Sequence, residues 1–319
     1  MPSEGFVTIS DSRYFVGVQA LTNSIRCNSD APVAVIDVGL SGAQRRWLSR
    51  NGISCHRPAR SIPVDSDRFF GCYALFDVDA APFDRMIVID PDVLVLEDVR
   101  DLFRRLDRHP LLATPDHIGR LLRNREYRCP LTRCIPKRPK KKMLQFLARH
   151  PNVLPRTLTA RFSALSSGTV VVRRELIAQL RKTAMKYADF FGDFPLPDQN
   201  LLSLCLADMR IAAGLLDYED NAAGLHFSDT AAFPPKERRE AHWLDANVRI
   251  EIDSNGIILH NSQRKGAAHG GSRVRVLHYS GARKPWHEQA SFRRGFLELW
   301  QRYYRGLVNR KSRRLASAS

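Results

Sequence analysis

Apolar and polar positions follow two alternating rhythms over the first hundred residues. Gly5–Ile9 is a short apolar run that reads as a strand. Tyr14–Cys27 carries Val18, Leu21 and Ile25 at helical spacing. Val33–Asp37 reads as a second strand and Ser41–Asn51 as a second helix, with Ser41 as N-cap and Gly52 just past the end. Ile53–His56 predicts a third strand. Met86–Ile89 predicts a fourth, apolar on both faces as a buried central strand should be. That β-α-β-α-β order predicts an α/β protein, a Rossmann-like, mostly parallel mixed sheet flanked by helices, with ligands at the carboxyl ends of strands.

After Leu111–Thr114 the regular pattern stops. Residues 117–156 contain Pro130, Pro136, Pro139, Pro151 and Pro155 and the run Lys137–Lys142, which reads as an insertion, helical around Met143–Arg149. Gly168–Val172 returns as a strand, followed by helices over Arg174–Tyr187 and Gln199–Ala207. Arg249–His260 predicts a hairpin through Asp253-Ser254-Asn255-Gly256. Arg275–His278 is a last short strand after a Gly-rich loop. Glu288–Asn309 predicts a helix, with Phe292, Phe296, Leu299, Tyr303 and Leu307 on one stripe. No internal repeat appears. The expected organisation is one elaborated domain over residues 1–287 and a basic amphipathic helix and tail over 288–319.

Composition adds bounds. In 319 residues, 44% are hydrophobic and 26% charged, which excludes wholesale disorder. No apolar run approaches the ~20 residues of a membrane-spanning helix. The N-terminus lacks the basic start and apolar core of a signal peptide. The six cysteines read as reduced thiols, so a cytoplasmic location is expected. Cys129 and Cys134 form a lone pair, insufficient for zinc.

The net charge of +17 is concentrated in two segments. Residues 117–156 hold twelve Lys/Arg and one acid, and residues 288–319 hold eight Lys/Arg and two acids, which together account for all of it. A neutral body with two basic appendages predicts an anionic partner. The sequence has no helix-turn-helix, zinc or RNA-binding motif, so nucleic acid is not the expected partner. The stripe of the C-terminal helix can dock on the protein's own core or lie on an anionic membrane surface, and the second would make the chain peripheral on the inner face of the cytoplasmic membrane.

The densest chemistry lies in MIVIDPDVLVLEDV, residues 86–99. Asp90 and Asp92, at the end of a buried strand, can point their oxygens at one hard divalent cation. Burying both without a counter-charge would be costly, although Asp-x-Asp pairs also occur in ordinary turns.

This segment resembles the metal motif of the GT-A sugar transferases, specifically glycosyltransferase family 8, to which glycogenin and bacterial lipopolysaccharide galactosyltransferases belong. Three more segments follow in the family's order. FVTISDSRYFVGVQALTNSI (6–25) is similar to its first strand and helix, LPDQNLL (196–202) to its Asp-Gln helix start, and VLHYSGARKPW (276–286) to its His-x-Gly-x-x-Lys-Pro-Trp motif. The resemblance implies a GT-A fold and a Mn²⁺ ion, or Mg²⁺, held by Asp90, Asp92 and His278. It implies that Asp90, Gly281 and Lys284 contact the donor diphosphate, and that Asp11, Tyr14 and Thr8 hold the base. Asp198 would grip donor-sugar hydroxyls and Gln199 would lie near the anomeric carbon. The chain departs from the family at Ser166, where an asparagine usually contacts the donor sugar, and at Asn200. Arg68 is the nearest match to the family's basic donor-binding residue.

The expected function is therefore metal-dependent transfer of a hexose from a nucleotide-sugar, a UDP-sugar, to a hydroxyl acceptor such as a lipopolysaccharide or lipid-linked glycan, with retention. Two rivals are a sugar-1-phosphate nucleotidylyltransferase and a nucleic-acid-binding protein. The first should carry a Gly-rich phosphate loop after the first strand, and Ser10-Asp11-Ser12-Arg13 has no glycine.

Overall fold

A computed structural model describes residues 3–62, 73–115, 128–130, 161–163, 165–187, 197–223, 248–253, 256–261, 271–280, 284–287, 292 and 295–306. The chain opens with strand β1 (Glu4–Ser10), helix α1 (Phe15–Asn28), β2 (Val33–Asp37), α2 (Gly42–Arg50) and β3 (Ser54–His56). Ser41 caps α2 in a reciprocal capping box with Gln44. A 3-10 helix (Ala74–Ala80) precedes β4 (Arg85–Ile89), β5 (Val93–Val95), α3 (Asp101–Arg105) and β6 (Leu111–Pro115). Then come β7 (Arg128–Pro130), β8 (Arg161–Ser163), β9 (Leu165–Arg173), α4 (Arg174–Met185), α5 (Pro197–Asp208), β10 (Gly214–Leu215) and β11 (Ala222–Ala223). The last elements are β12 (Val248–Asp253), β13 (Gly256–Asn261), β14 (Ser272–Arg273), β15 (Val276–His278) and α6 (Phe296–Tyr304).

The central sheet has seven strands in the order β10-β6-β9-β4-β1-β2-β3. β1 runs parallel to β2 and β4, β2 to β3, and β10 to β6. β9 runs antiparallel to both of its neighbours, which makes the sheet mixed but mostly parallel. Both faces are covered, which is why β4 is apolar from Met86 to Ile89. Val7, Met86 and Val88 pack on one face with Leu176, Ile177 and Leu180 of α4. Phe6, Ile87 and Ile89 pack on the other with Val18, Leu21 and Ile25 of α1.

A second layer joins β11, β15 and β5, and its core includes Leu94, Leu277, Tyr279, Phe296, Leu299, Trp300 and Tyr303. The expected hairpin exists as β12 and β13, paired in antiparallel register from Val248↔Asn261 to Asp253↔Gly256. The C-terminal helix is shorter than its stripe predicts. It starts at Phe296, because Gly295 before it takes φ +92°, outside the helical region. Its apolar face docks on the protein's own core: Phe296, Leu299 and Tyr303 are buried, and Asn23 Nδ2 on α1 donates to the Tyr303 carbonyl (2.9 Å). Leu307 and the basic tail lie outside the described residues, as do most of the 117–156 insertion and the helix expected at 143–149. No helix among the described residues is long and apolar enough to cross a membrane.

Candidate metal and donor site

Asp90 and Asp92 occupy the turn between β4 and β5, beyond the carboxyl end of a central strand. The Asp90 N–H donates to the Gly168 carbonyl on β9 (3.1 Å), which anchors the turn to the sheet. β5 then pairs antiparallel with β15 in the register His278↔Val93, Leu277↔Leu94 and Val276↔Val95. This register delivers His278 to the carboxylates across a long sequence separation. The Tyr279 N–H closes the pairing on the Asp92 carbonyl (2.9 Å).

His278 Nε2 lies 3.5 Å from Asp90 Oδ2 and 3.4 Å from Asp92 Oδ1. One ligand atom from each of the three residues falls within 4.8 Å of the others, the sole such group among the described residues. Lys284 Nζ pairs with Asp92 Oδ2 and donates to the Tyr279 carbonyl (3.2 Å). It also lies 5.7 Å from the centre of the Tyr14 ring, whose edge meets Trp286.

The electrostatics separate the two carboxylates. Burial and then the neighbouring charge of Asp92 push the Asp90 carboxyl up to about 7. Its side chain keeps 43% of its exposure, against 5% for Asp92. Burial opposes ionisation of Asp92 too, but His278 and then Lys284 outweigh it and hold the group well below the ordinary carboxylate range. Burial works against the charge on His278, and Asp92 and then Asp90 more than offset it, so its pKa is raised. Lys284 thus compensates Asp92 and leaves Asp90 under-compensated. Two carboxylate oxygens and one imidazole nitrogen, with an acid reluctant to ionise among them, are a donor set that a divalent cation fits.

Other expected residues fall into three groups. Asp198, in the first turn of α5, is hydrogen-bonded by Ser167 and by the N–H groups of Gln199 and itself, and its charge reaches Asp90. Burial raises its pKa. Gln199 follows it and is buried. Ser166, at the start of β9, accepts hydrogen bonds from Asn221 Nδ2 (3.1 Å) and the Gly168 N–H (3.3 Å). Asp11 and Tyr14 lie beyond β1, where Asp11 Oδ1 accepts the N–H groups of Arg13 (2.9 Å) and Tyr14 (3.1 Å) and shapes the entry to α1. Thr8, expected to help hold the base, is fully buried inside β1, and its hydroxyl has no hydrogen-bond partner among the described residues. Gly281, Arg68 and Cys134 lie outside the described residues.

Sequence reasoning misses Asn221. This residue is buried, and its Oδ1 lies 3.1 Å from His278 Nδ1. It follows the polar stretch Asp217–Asp220, which has no periodicity to mark it. Gly168 also matters: a Cβ there would lie 2.4 Å from His278 Cε1, so the imidazole occupies the space that a glycine leaves.

This architecture is the GT-A glycosyltransferase fold. An active-site mutant of LgtC superposes with a TM-score of 0.60 at 15% identity, over 94% of this chain and 94% of that one. The galactosyltransferase LgtC in complex with donor and acceptor sugar analogues gives 0.57 at 15% identity, over 96% of both chains. The apo form of the glycosyltransferase GlyE from Streptococcus pneumoniae TIGR4 gives 0.56 at 14% identity, over 97% of this chain and 62% of GlyE. No protein-family model matches the sequence, and no curated protein sequence matches it.

Proposed function

We propose that the chain is a metal-dependent glycosyltransferase that moves a hexose from a UDP-sugar to a hydroxyl acceptor with retention of configuration. The observation that carries this reading is the meeting of Asp90, Asp92 and His278 at the carboxyl end of β4, with Lys284 beside them, in a GT-A sheet. LgtC, which shares that fold, binds donor and acceptor sugar analogues, in support of the same two partners here.

Asp90, Asp92 and His278 would hold Mn²⁺ or Mg²⁺, the mixed oxygen and nitrogen set favouring manganese. When bound, the ion supplies positive charge against the departing diphosphate. Lys284 Nζ exchanges part of its contact with Asp92 for a phosphate oxygen, with Gly281 allowing the backbone close to the diphosphate. Tyr14 and Asp11 border the base. Asp198 accepts hydrogen bonds from donor-sugar hydroxyls, and the Gln199 amide oxygen faces the charge that develops at the anomeric carbon. The carbon–oxygen bond to the diphosphate breaks as the bond to the acceptor oxygen forms on the same face. The leaving phosphate oxygen takes the acceptor's proton, so no dedicated base is required. The basic insertion and tail support an acceptor glycan presented at an anionic membrane surface, met from the cytoplasmic side.

The test is a panel of nucleotide-sugars with Mn²⁺, read as donor hydrolysis and as transfer. A UDP-sugar should be turned over, and chelator should silence the reaction. Silence toward every donor would overturn the reading, and pyrophosphate exchange between UTP and a sugar-1-phosphate would replace it with the nucleotidylyltransferase. Flotation with anionic and neutral liposomes tests the membrane proposal. Binding should favour anionic vesicles and weaken with salt, and equal partitioning onto both would sink it.

A further inference from the structure

We propose that Asn221 is a positioning residue that selects the metal-competent tautomer of His278 and ties that histidine to the start of β9; the metal half of this statement depends on the site reading above. Asn221 is 2% exposed and directly follows the single 3-10 turn of Tyr218–Asp220, with its own N–H held by the Tyr218 carbonyl (3.0 Å). The side chain bridges two elements. Oδ1 faces His278 Nδ1 at 3.1 Å, and Nδ2 donates to Ser166 Oγ at 3.1 Å.

An amide oxygen can only accept, so the proton of a neutral His278 ring belongs on Nδ1. Nε2, which faces Asp90 and Asp92, then keeps its lone pair for an ion. The opposite amide orientation would put the proton on Nε2 and remove the third ligand. The rest of the ring's position is set by packing, because the imidazole lies where a Cβ on residue 168 would be. The Gly168 N–H also donates to Ser166 Oγ, so Gly168, Ser166, Asn221 and His278 form one connected unit.

The experiment uses the full chain and two readouts other than turnover. Nitrogen-15 imidazole NMR of metal-free protein under alkaline conditions, with the signal assigned by its absence from His278→Gln, should show His278 as the Nδ1–H tautomer. Mn²⁺ binding followed by electron paramagnetic resonance should weaken about tenfold or more in Asn221→Leu, which should also lose the Nδ1–H preference. Asn221→Asp keeps an acceptor and should retain the tautomer and an affinity within a few-fold of wild type. A wild-type His278 protonated on Nε2 would overturn the proposal outright, whether or not the leucine variant folds. A folded Asn221→Leu with wild-type tautomer and affinity would overturn it as well. Wild type that binds no Mn²⁺ would overturn the metal reading instead, and the tautomer would then decide the role of Asn221.

Discussion

Two Asp-x-Asp pairs stand in the described chain, and the protein treats them in opposite ways. Asp77-Val78-Asp79 lies on the 3-10 helix before β4, and Arg181 on α4 closes on it with Nη1 at 3.2 Å from Asp77 and Nη2 at 2.8 Å from Asp79. Asp77 also accepts the Ser61 N–H (3.1 Å). Each carboxylate there has a permanent cationic partner. Asp90-Pro91-Asp92 has Lys284 on one carboxylate and a titratable histidine between the two, and Asp90 is pushed up to about 7. The spacing is identical, so spacing does not decide the role. What separates a structural pair from a candidate metal pair is whether the fold supplies a fixed cation for both acids.

The largest effect expected from this contrast is on turnover. Asp92→Ala should leave a folded protein whose UDP-sugar turnover falls about 10³-fold, the scale of losing charge stabilisation at a reacting centre. Asp79→Asn should leave turnover within a few-fold. Steady-state rates of the two variants check this, and equal losses would erase the distinction. Next comes stability. Arg181→Ala strands Asp77 and should cost about 2 kcal/mol, between the values for exposed and fully buried pairs. Thermal unfolding should register that cost while Mn²⁺ affinity stays unchanged. Third, Gly168→Ala forces a methyl group against the His278 ring. It should cost about 1–3 kcal/mol, as overpacking does, read by calorimetry as weaker Mn²⁺ binding together with a lower melting temperature.

The same contrast explains what the sequence made legible. β1, α1, β2, α2 and β4 lie within two residues of their expected ends, because local periodicity and the Ser41 cap encode them. The 3-10 helix and the five-residue α3 carry too few turns to show a period. The C-terminal stripe continues through Gly295, but the backbone there does not, so the expected helix is too long. At the site, Asp90, Asp92, His278 and Lys284 were legible through long motifs. Arg181 and Asn221 were not: their meaning comes from partners about a hundred and about sixty residues away, brought near by packing and by the β15 register.

The smallest expected effect is a dependence of metal binding on pH. The unfolded chain releases the proton of Asp90 near 3.8, whereas the folded, metal-free protein retains it up to about 7. Between those values the native state binds more protons, so stability falls as pH rises, and the loss is complete above 7. His278, raised above 6.5, acts in the same direction: its contribution is present below 6.5 and is lost as pH rises through its folded value. Asp92 acts oppositely, contributing above 3.8 and losing that contribution as pH falls toward its depressed folded value. A divalent cation competes with the protons on Asp90 and His278, so its affinity should rise by up to about a hundredfold per pH unit where both protons must leave, by about tenfold where only one must, and flatten once both are deprotonated. The measurement is the rise in melting temperature caused by Mn²⁺ at about pH 5 and about pH 8, with Asp90→Asn as the control. The rise should be larger at the higher pH in wild type, and Asp90→Asn should show a smaller difference. Equal shifts at both pH values would mean that Asp90 is ionised throughout, and that Lys284 and His278 already compensate both acids as Arg181 compensates Asp77 and Asp79.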